Sequence, residues 1–181
     1  MPITVTGHQL GLFGNRRLVH QAESIARQAE RIITAHVGPL PAVALTLTNE
    51  RAMAQLATAA DIAFAPGASR LTRAVKGHQA RRTARGAYGV TVLNPAGGIA
   101  VFVSATTATT GRDLADTILH ELVHAVQLGT PDARELHIRH LRHCYRTEPW
   151  SRRESADYDR LVDQREDQAH ALEPLAAQIT V

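Results

Sequence analysis

Between Thr110 and Pro131 the chain has little conformational choice. Leu114, Ile118, Leu119, Leu122, Val123 and Val126 recur at helical period. Thr110 and Asp113 form a capping-box signature at the start, and Gly129 followed by Pro131 supplies a stop. The stretch is therefore an amphipathic helix with one face committed to a core. On that helix His120 and His124 stand four residues apart and share a face. Two imidazoles so placed can bind one tetrahedral metal ion and leave positions open for water and substrate. Glu121, directly after the first histidine, can serve such a water as general base. The competing reading is a helix with two solvated or core histidines. The well-formed caps and the apolar residues packed behind the pair favour the metal, and zinc is the expected ion.

The remaining bounds are modest. A chain of 181 residues is sized for a single domain, expected to comprise an N-terminal helix-and-sheet part (1–109) and a zinc-site helical part (110–181). Aromatic residues make up only 4%, so the core must be built from Ala, Val, Leu and Ile. Cys144 is the sole cysteine, which excludes an intramolecular disulfide. No apolar run approaches a membrane span, and Met1-Pro-Ile-Thr-Val-Thr6 has no signal-peptide character. The expectation is a cytoplasmic protein without a membrane partner, its oligomeric state open.

Ile3 to Thr6 is a candidate strand ended by Gly7, and Gly11 and Gly14 mark a loop. Leu18, Ile25, Ala29, Ile32 and Ile33 predict a helix from about Arg17 to His36, stopped by Gly38-Pro39. Val43, Leu45 and Leu47 alternate as one face of a strand. Thr48 or Asn49 can cap a helix running to about Ala60, with a short strand expected over Asp61–Phe64. Gly89–Leu93 and Ile99–Ser104 flank Asn94-Pro-Ala-Gly-Gly98 as a hairpin. Ile99–Ser104 either completes the core sheet or presents an edge to an extended peptide. The fold class expected is α+β, with a small antiparallel or mixed sheet, an N-terminal helix, the histidine helix and two C-terminal helices.

The formal net charge is only +3, yet no acidic residue lies between Asp61 and Asp113. Arg70, Arg73, Lys76, Arg81, Arg82, Arg85 and Arg112 accumulate there. Such a stretch suits nucleic acid or an acidic partner. No aromatic residue lies between Arg70 and Arg85 to stack on a base, and Gly77, Gly86 and Gly89 suggest a mobile loop. A solvated basic loop is the favoured reading.

A third ligand is expected after Gly129, where Pro131 to about Tyr145 forms one helix and Ser151 onward another. Glu154 and Asp157, three apart near the start of the second, share a face. Together, His-Glu-Leu-Val-His124 and Glu154-Ser-Ala-Asp157 resemble the gluzincin pattern of zinc metallopeptidases. The likeness is to the small single-domain forms (minigluzincins), such as the ImmA/IrrE-type regulatory peptidases, and to the site of HtpX-like peptidases. The resemblance implies a zincin-like fold, His120, His124 and Glu154 as zinc ligands, Glu121 as the base and Asp157 as support. It covers about Thr110–Asp159. The family element places Ala-Asp three and four residues after the glutamate, against two and three here, so Glu154, Asp157 and His140 all remain candidates for the third ligand.

Other zinc-peptidase patterns fit less well. A metzincin would carry glycine and histidine where Gln127 and Thr130 stand, and Asp132 falls two residues late for a snapalysin-type ligand. His137, His140 and His143 lie where SprT-like proteases place a histidine, without that family's His-Gly context. The expected activity is peptide hydrolysis with a protein or peptide substrate, and Tyr145, Tyr158 or His143 is expected to stabilise the oxyanion. Asp116 could hold the free N–H of His120, although a solvated first-turn carboxylate is favoured there. The alternative is a non-catalytic zinc-containing regulatory or nucleic-acid-binding module that uses the Arg70–Arg85 stretch.

Overall fold

A computed structural model describes residues 3–10 and 15–181 of the chain, so the loop expected at Gly11 and Gly14 lies outside the described residues. The order of elements is β1 (Ile3–Gly7), α1 (Asn15–His36), β2 (Val43–Thr48), α2 (Glu50–Ala63), α3 (Arg70–Thr83), β3 (Gly89–Leu93), β4 (Ile99–Ser104), α4 (Gly111–Gly129), α5 (Pro131–Cys144) and α6 (Arg152–Leu172). A 3-10 turn over Glu173–Gln178 follows. The fold is α+β, with a mixed sheet of four strands in the order β1-β2-β4-β3 among the described residues. β1, β2 and β4 run parallel, and β3 is antiparallel to β4 at the edge.

Alternation along the strands assigns the two faces. Val43, Leu45 and Leu47 of β2 lie level with Ile99, Val101 and Val103 of β4, and all six are buried against α1 and α4. Ala100 and Phe102 point the other way, with Val92, and are covered by Met53, Ala57 and Ala60 of α2. The sheet is therefore sandwiched by helices, with the histidine helix α4 on the larger core. Ala176 and Ile179 add to that core. Gln28 of α1 clamps Thr180 with two hydrogen bonds, each of 3.0 Å. No helix among the described residues is long and apolar enough to cross a membrane.

The caps act as expected. The Thr110 hydroxyl accepts from Asp113 N–H while the Asp113 carboxylate accepts from Thr110 N–H. Asn49 caps α2 by accepting from Ala52 N–H at 2.9 Å. Thr130 closes the gap between α4 and α5, with Pro131 in the first turn, where its missing N–H costs nothing.

Two expectations are corrected, and one open alternative is decided. Asp61–Phe64 is not a strand: Asp61 and Ile62 belong to the last turn of α2, where the Phe64 N–H bonds back to Asp61 C=O. Arg70–Thr83 is not a loop but α3, capped by the Ser69 hydroxyl and carrying no buried residue. Of the two readings of Ile99–Ser104 the first holds: a parallel crossover puts β4 between β2 and β3, so β4 completes the core sheet, and β3, with β1 at the far side, is an edge strand. Tyr88 C=O accepts from Ser104 N–H, and Gly98 C=O accepts from Asn94 N–H. Antiparallel bonding alternates between these two points, so Val90 and Val92 bond β4, whereas Gly89 and Thr91 turn their backbone groups to the free edge.

Candidate metal centre

The buried stripe of α4 (Ile118, Leu119, Leu122, Val123) turns His120 and His124 away from the sheet, toward α6. Their Nε2 atoms lie 3.0 Å apart. The carboxylate of Glu166 meets both, Oε2 at 3.6 Å from His120 Nε2 and Oε1 at 3.4 Å from His124 Nε2. Ligand atoms of a tetrahedral zinc with bonds of 2.0–2.1 Å are separated by about 3.3–3.4 Å. The spacing between the nitrogens and the distance from each nitrogen to its own oxygen of Glu166 fall on either side of that value, and one ligand atom from each of the three residues lies within 4.8 Å of the others.

The outer nitrogens decide the protonation of the inner ones. His124 Nδ1 lies 2.8 Å from Gln127 Oε1, and the Gln127 amide is oriented by donating to Arg165 C=O and Gln168 Oε1. Gln127 Oε1 can only accept, so His124 Nδ1 carries the proton. His120 Nδ1 lies 3.0 Å from Glu173 Oε1, another acceptor, which His170 Nδ1 also approaches at 2.7 Å. In the neutral rings both Nε2 lone pairs then face each other and a carboxylate. Such an arrangement is repulsive until a cation sits between them. Burial also holds the His124 pKa below its ordinary value, favouring the neutral ring that a metal requires.

Glu121 lies beside the pair, buried, and directed at the β3 edge. The Thr91 hydroxyl donates to its Oε2 at 2.6 Å. Burial raises the Glu121 carboxyl to about 7 despite that bond. Room for the carboxylate comes from Gly89: a Cβ there would lie 2.7 Å from Glu121 Oε1 and 2.9 Å from Thr117 Cγ2. Two cavities meet at this point. One, of about 690 Å³, runs past Tyr88, Asp116, His120 and Glu173. The other, of about 330 Å³, runs past Glu121, His124, His137, Tyr158 and Glu166.

Glu154 is elsewhere. It sits at the N-terminus of α6, where Oε2 accepts from the Ser151 N–H at 2.8 Å and Oε1 pairs with Arg139 at 3.3 Å. The structure brings His120, Glu121 and His124 together, and the carboxylate that meets both histidines is that of Glu166, about three turns further along α6. Asp157 pairs with Arg153 and Arg160 on the exposed side of the helix. His140 stacks on Tyr158 with ring centres 3.9 Å apart and touches Cys144. Asp116 pairs with Arg112 at 2.9 Å, and Glu173 occupies the role considered for it.

Of the three oxyanion candidates, Tyr158 alone lines the cavity shared with His120 and Glu121. Its hydroxyl is 2.6 Å from His137 Nδ1. Tyr145 is buried beside Ala65 and Ala68, and His143 stacks on Trp150. Sequence reasoning missed Glu166, Glu173, Gln127, Thr91 and Gly89. A legible signal existed for two of them: Glu166 and Glu173 fall at helical spacing with His170, on one face of α6 and the first residue after it. No protein-family model, curated protein or solved structure matches this chain.

Proposed function

We propose that this protein is a zinc-dependent peptidase of zincin-like architecture. The carrying observation is the convergence of His120 Nε2, His124 Nε2 and a Glu166 carboxylate oxygen, beside a buried Glu121. Two imidazoles and one carboxylate form a donor set used by catalytic zinc, and three protein ligands leave a coordination position free for chemistry. With one cysteine in the chain, a closed thiolate site is out of reach. Bound there, zinc would supply Lewis-acid polarisation of a carbonyl and make water a nucleophile near neutral pH.

The rest of the work falls to the chain itself. Glu121, held by Thr91, accepts a proton from the attacking water and returns it to the leaving amine as the C–N bond breaks. Glu173 and Gln127 orient the imidazoles through Nδ1. Tyr158, braced by His137, offers an O–H donor to the developing oxyanion. The backbone groups of Gly89 and Thr91 at the β3 edge can pair with an extended peptide and lay it across the cleft. A second reading is carried by α3, whose every residue is exposed or half-exposed and whose charges are all positive: a basic surface for nucleic acid or an acidic partner.

Metal content and hydrolysis of a mixed peptide library test the proposal together. Wild-type protein is expected to hold one zinc per chain, Glu166→Ala to lose it, and Glu121→Gln to keep it while hydrolysis falls by about 10²–10⁴-fold. Wild-type zinc content in Glu166→Ala, or undiminished hydrolysis by Glu121→Gln, overturns it.

A further inference from the structure

A third cavity, of about 400 Å³, lies beyond the metal centre. α2, α3, α5 and α6 enclose it, and β3 contributes Val90 and Val92. It shares Val90, Thr91, His137, Tyr158 and Val162 with the cavity that holds Glu121, so the two are continuous along the free edge of β3. Side chains of a strand added to that edge alternate between the sheet's faces. Those on one face point toward α4 and the metal centre, and those on the other toward this third cavity.

The cavity's lining is specific. Val90, Val92, Leu141 and Val162 give it apolar walls, and Asp61 of α2 contributes a carboxylate. That carboxylate has no hydrogen-bond or ion-pair partner among the described residues. It lines this space together with Cys144, Tyr145 and Tyr158. Lys76 of α3 also lines the space without pairing with Asp61. Burial raises the Asp61 carboxyl from its ordinary value to about 7.

We infer that this cavity is a side-chain subsite for arginine or lysine of a peptide bound along β3, with the aliphatic stem against the valines and the cationic end on Asp61. The inference rests on the peptide-binding reading of the β3 edge. Apolar walls ending in one carboxylate match a long aliphatic stem with a terminal cation. An acidic side chain placed on Asp61 would meet a like charge, and an uncharged isostere of the stem would make only the apolar part of the contact.

Binding of N-acetyl amides tests this without requiring turnover. By calorimetry, N-acetyl-arginine amide or N-acetyl-lysine amide should bind wild-type protein on the order of ten- to a hundred-fold more tightly than N-acetyl-norleucine amide, and N-acetyl-glutamate amide should bind least. Asp61→Asn, which keeps the shape, should erase the preference. Lys76→Met, which removes a competing cation, should increase it. Equal binding of arginine and norleucine amides, or a preference that survives Asp61→Asn, overturns the inference. Basic amides that bind through Asp61 to a protein that hydrolyses no peptide leave the subsite standing and sink the peptidase reading. Hydrolysis abolished by Glu121→Gln but indifferent to basic residues does the reverse.

Discussion

Replacing Gly89 with alanine should damage catalysis without touching the metal. The added Cβ would lie 2.7 Å from Glu121 Oε1, 2.8 Å from Glu121 Cγ and 2.9 Å from Thr117 Cγ2. All three distances are below those that carbon atoms tolerate, so the Glu121 carboxylate or the β3 edge must move. Overpacking of this kind costs about 1–3 kcal/mol. For a chain of this size that lowers the melting temperature by roughly 2–12 °C. Displacement of a catalytic base by about 1 Å costs on the order of 10²-fold in rate. The assay pairs thermal denaturation with zinc content and hydrolysis of a mixed peptide library. The expected result is full zinc, a lowered melting temperature and hydrolysis near one per cent of wild type. A Thr117→Ser change in the same chain removes one of the three clashes, keeps the hydroxyl that bonds Asp113 C=O at 2.7 Å, and should recover part of the stability. A Gly89→Ala protein with wild-type melting and wild-type hydrolysis would refute the placement of Glu121 against the β3 edge.

Other expected outcomes are simpler. Glu154→Ala should lower the melting temperature through loss of the α6 cap and leave zinc content unchanged, the opposite of Glu166→Ala. Adding zinc should raise the melting temperature of wild type in proportion to the logarithm of free zinc and have no such effect on His120→Ala. The Asp61 carboxyl has an ordinary value of 3.8 and is raised to about 7 in the fold, so its ionisation opposes folding. The destabilisation is absent below pH 3.8, grows as pH rises toward 7 and is constant above it. Asp61→Asn should therefore stabilise the protein at pH 8, by up to about 4 kcal/mol, and not at pH 4, as denaturant titrations at the two pH values would show. If the basic surface of α3 and the residues just after it binds nucleic acid, combined Arg81→Ala, Arg82→Ala and Arg85→Ala should weaken that binding and flatten its salt dependence in a filter-binding titration.

The parts of this fold that sequence made legible are those governed by local rules. The apolar period of α1 and α4, the Thr110–Asp113 box and the alternation of Val43, Leu45 and Leu47 each act within one element, and each appears in the structure as expected. What depends on distant neighbours was hidden. α3 has no buried residue and so no apolar period, and its only local marker was Ser69 as a cap. That β4 joins β2 and leaves β3 at the edge follows from the crossover, which no single segment encodes. Glu154 drew attention because of the Asp157 beside it. Yet Ser151-Arg-Arg-Glu154 is itself a capping-box pattern, and the structure uses it as one. Glu166 looked like one more charge on a polar helix until the packing of α6 on α4 turned that face inward.

The hydrogen-bonded clamp between Gln28 and Thr180 ties the residues after α6 back onto α1, so the sheet half and the histidine half of the chain share one core. Glu173, whose carboxylate meets His120, opens the turn whose Ala176, with Ile179 just after it, is seated in the core shared by α1 and α4. Cut between residues 109 and 110, the chain would give one fragment with the whole sheet but no α4 to cover its larger face, and another with both histidines but no floor beneath them. Neither piece is self-sufficient, but their surfaces are complementary. Co-expressed, they are expected to reassemble as a split pair, and recovery of the zinc binding proposed above would report that the two fragments had found each other.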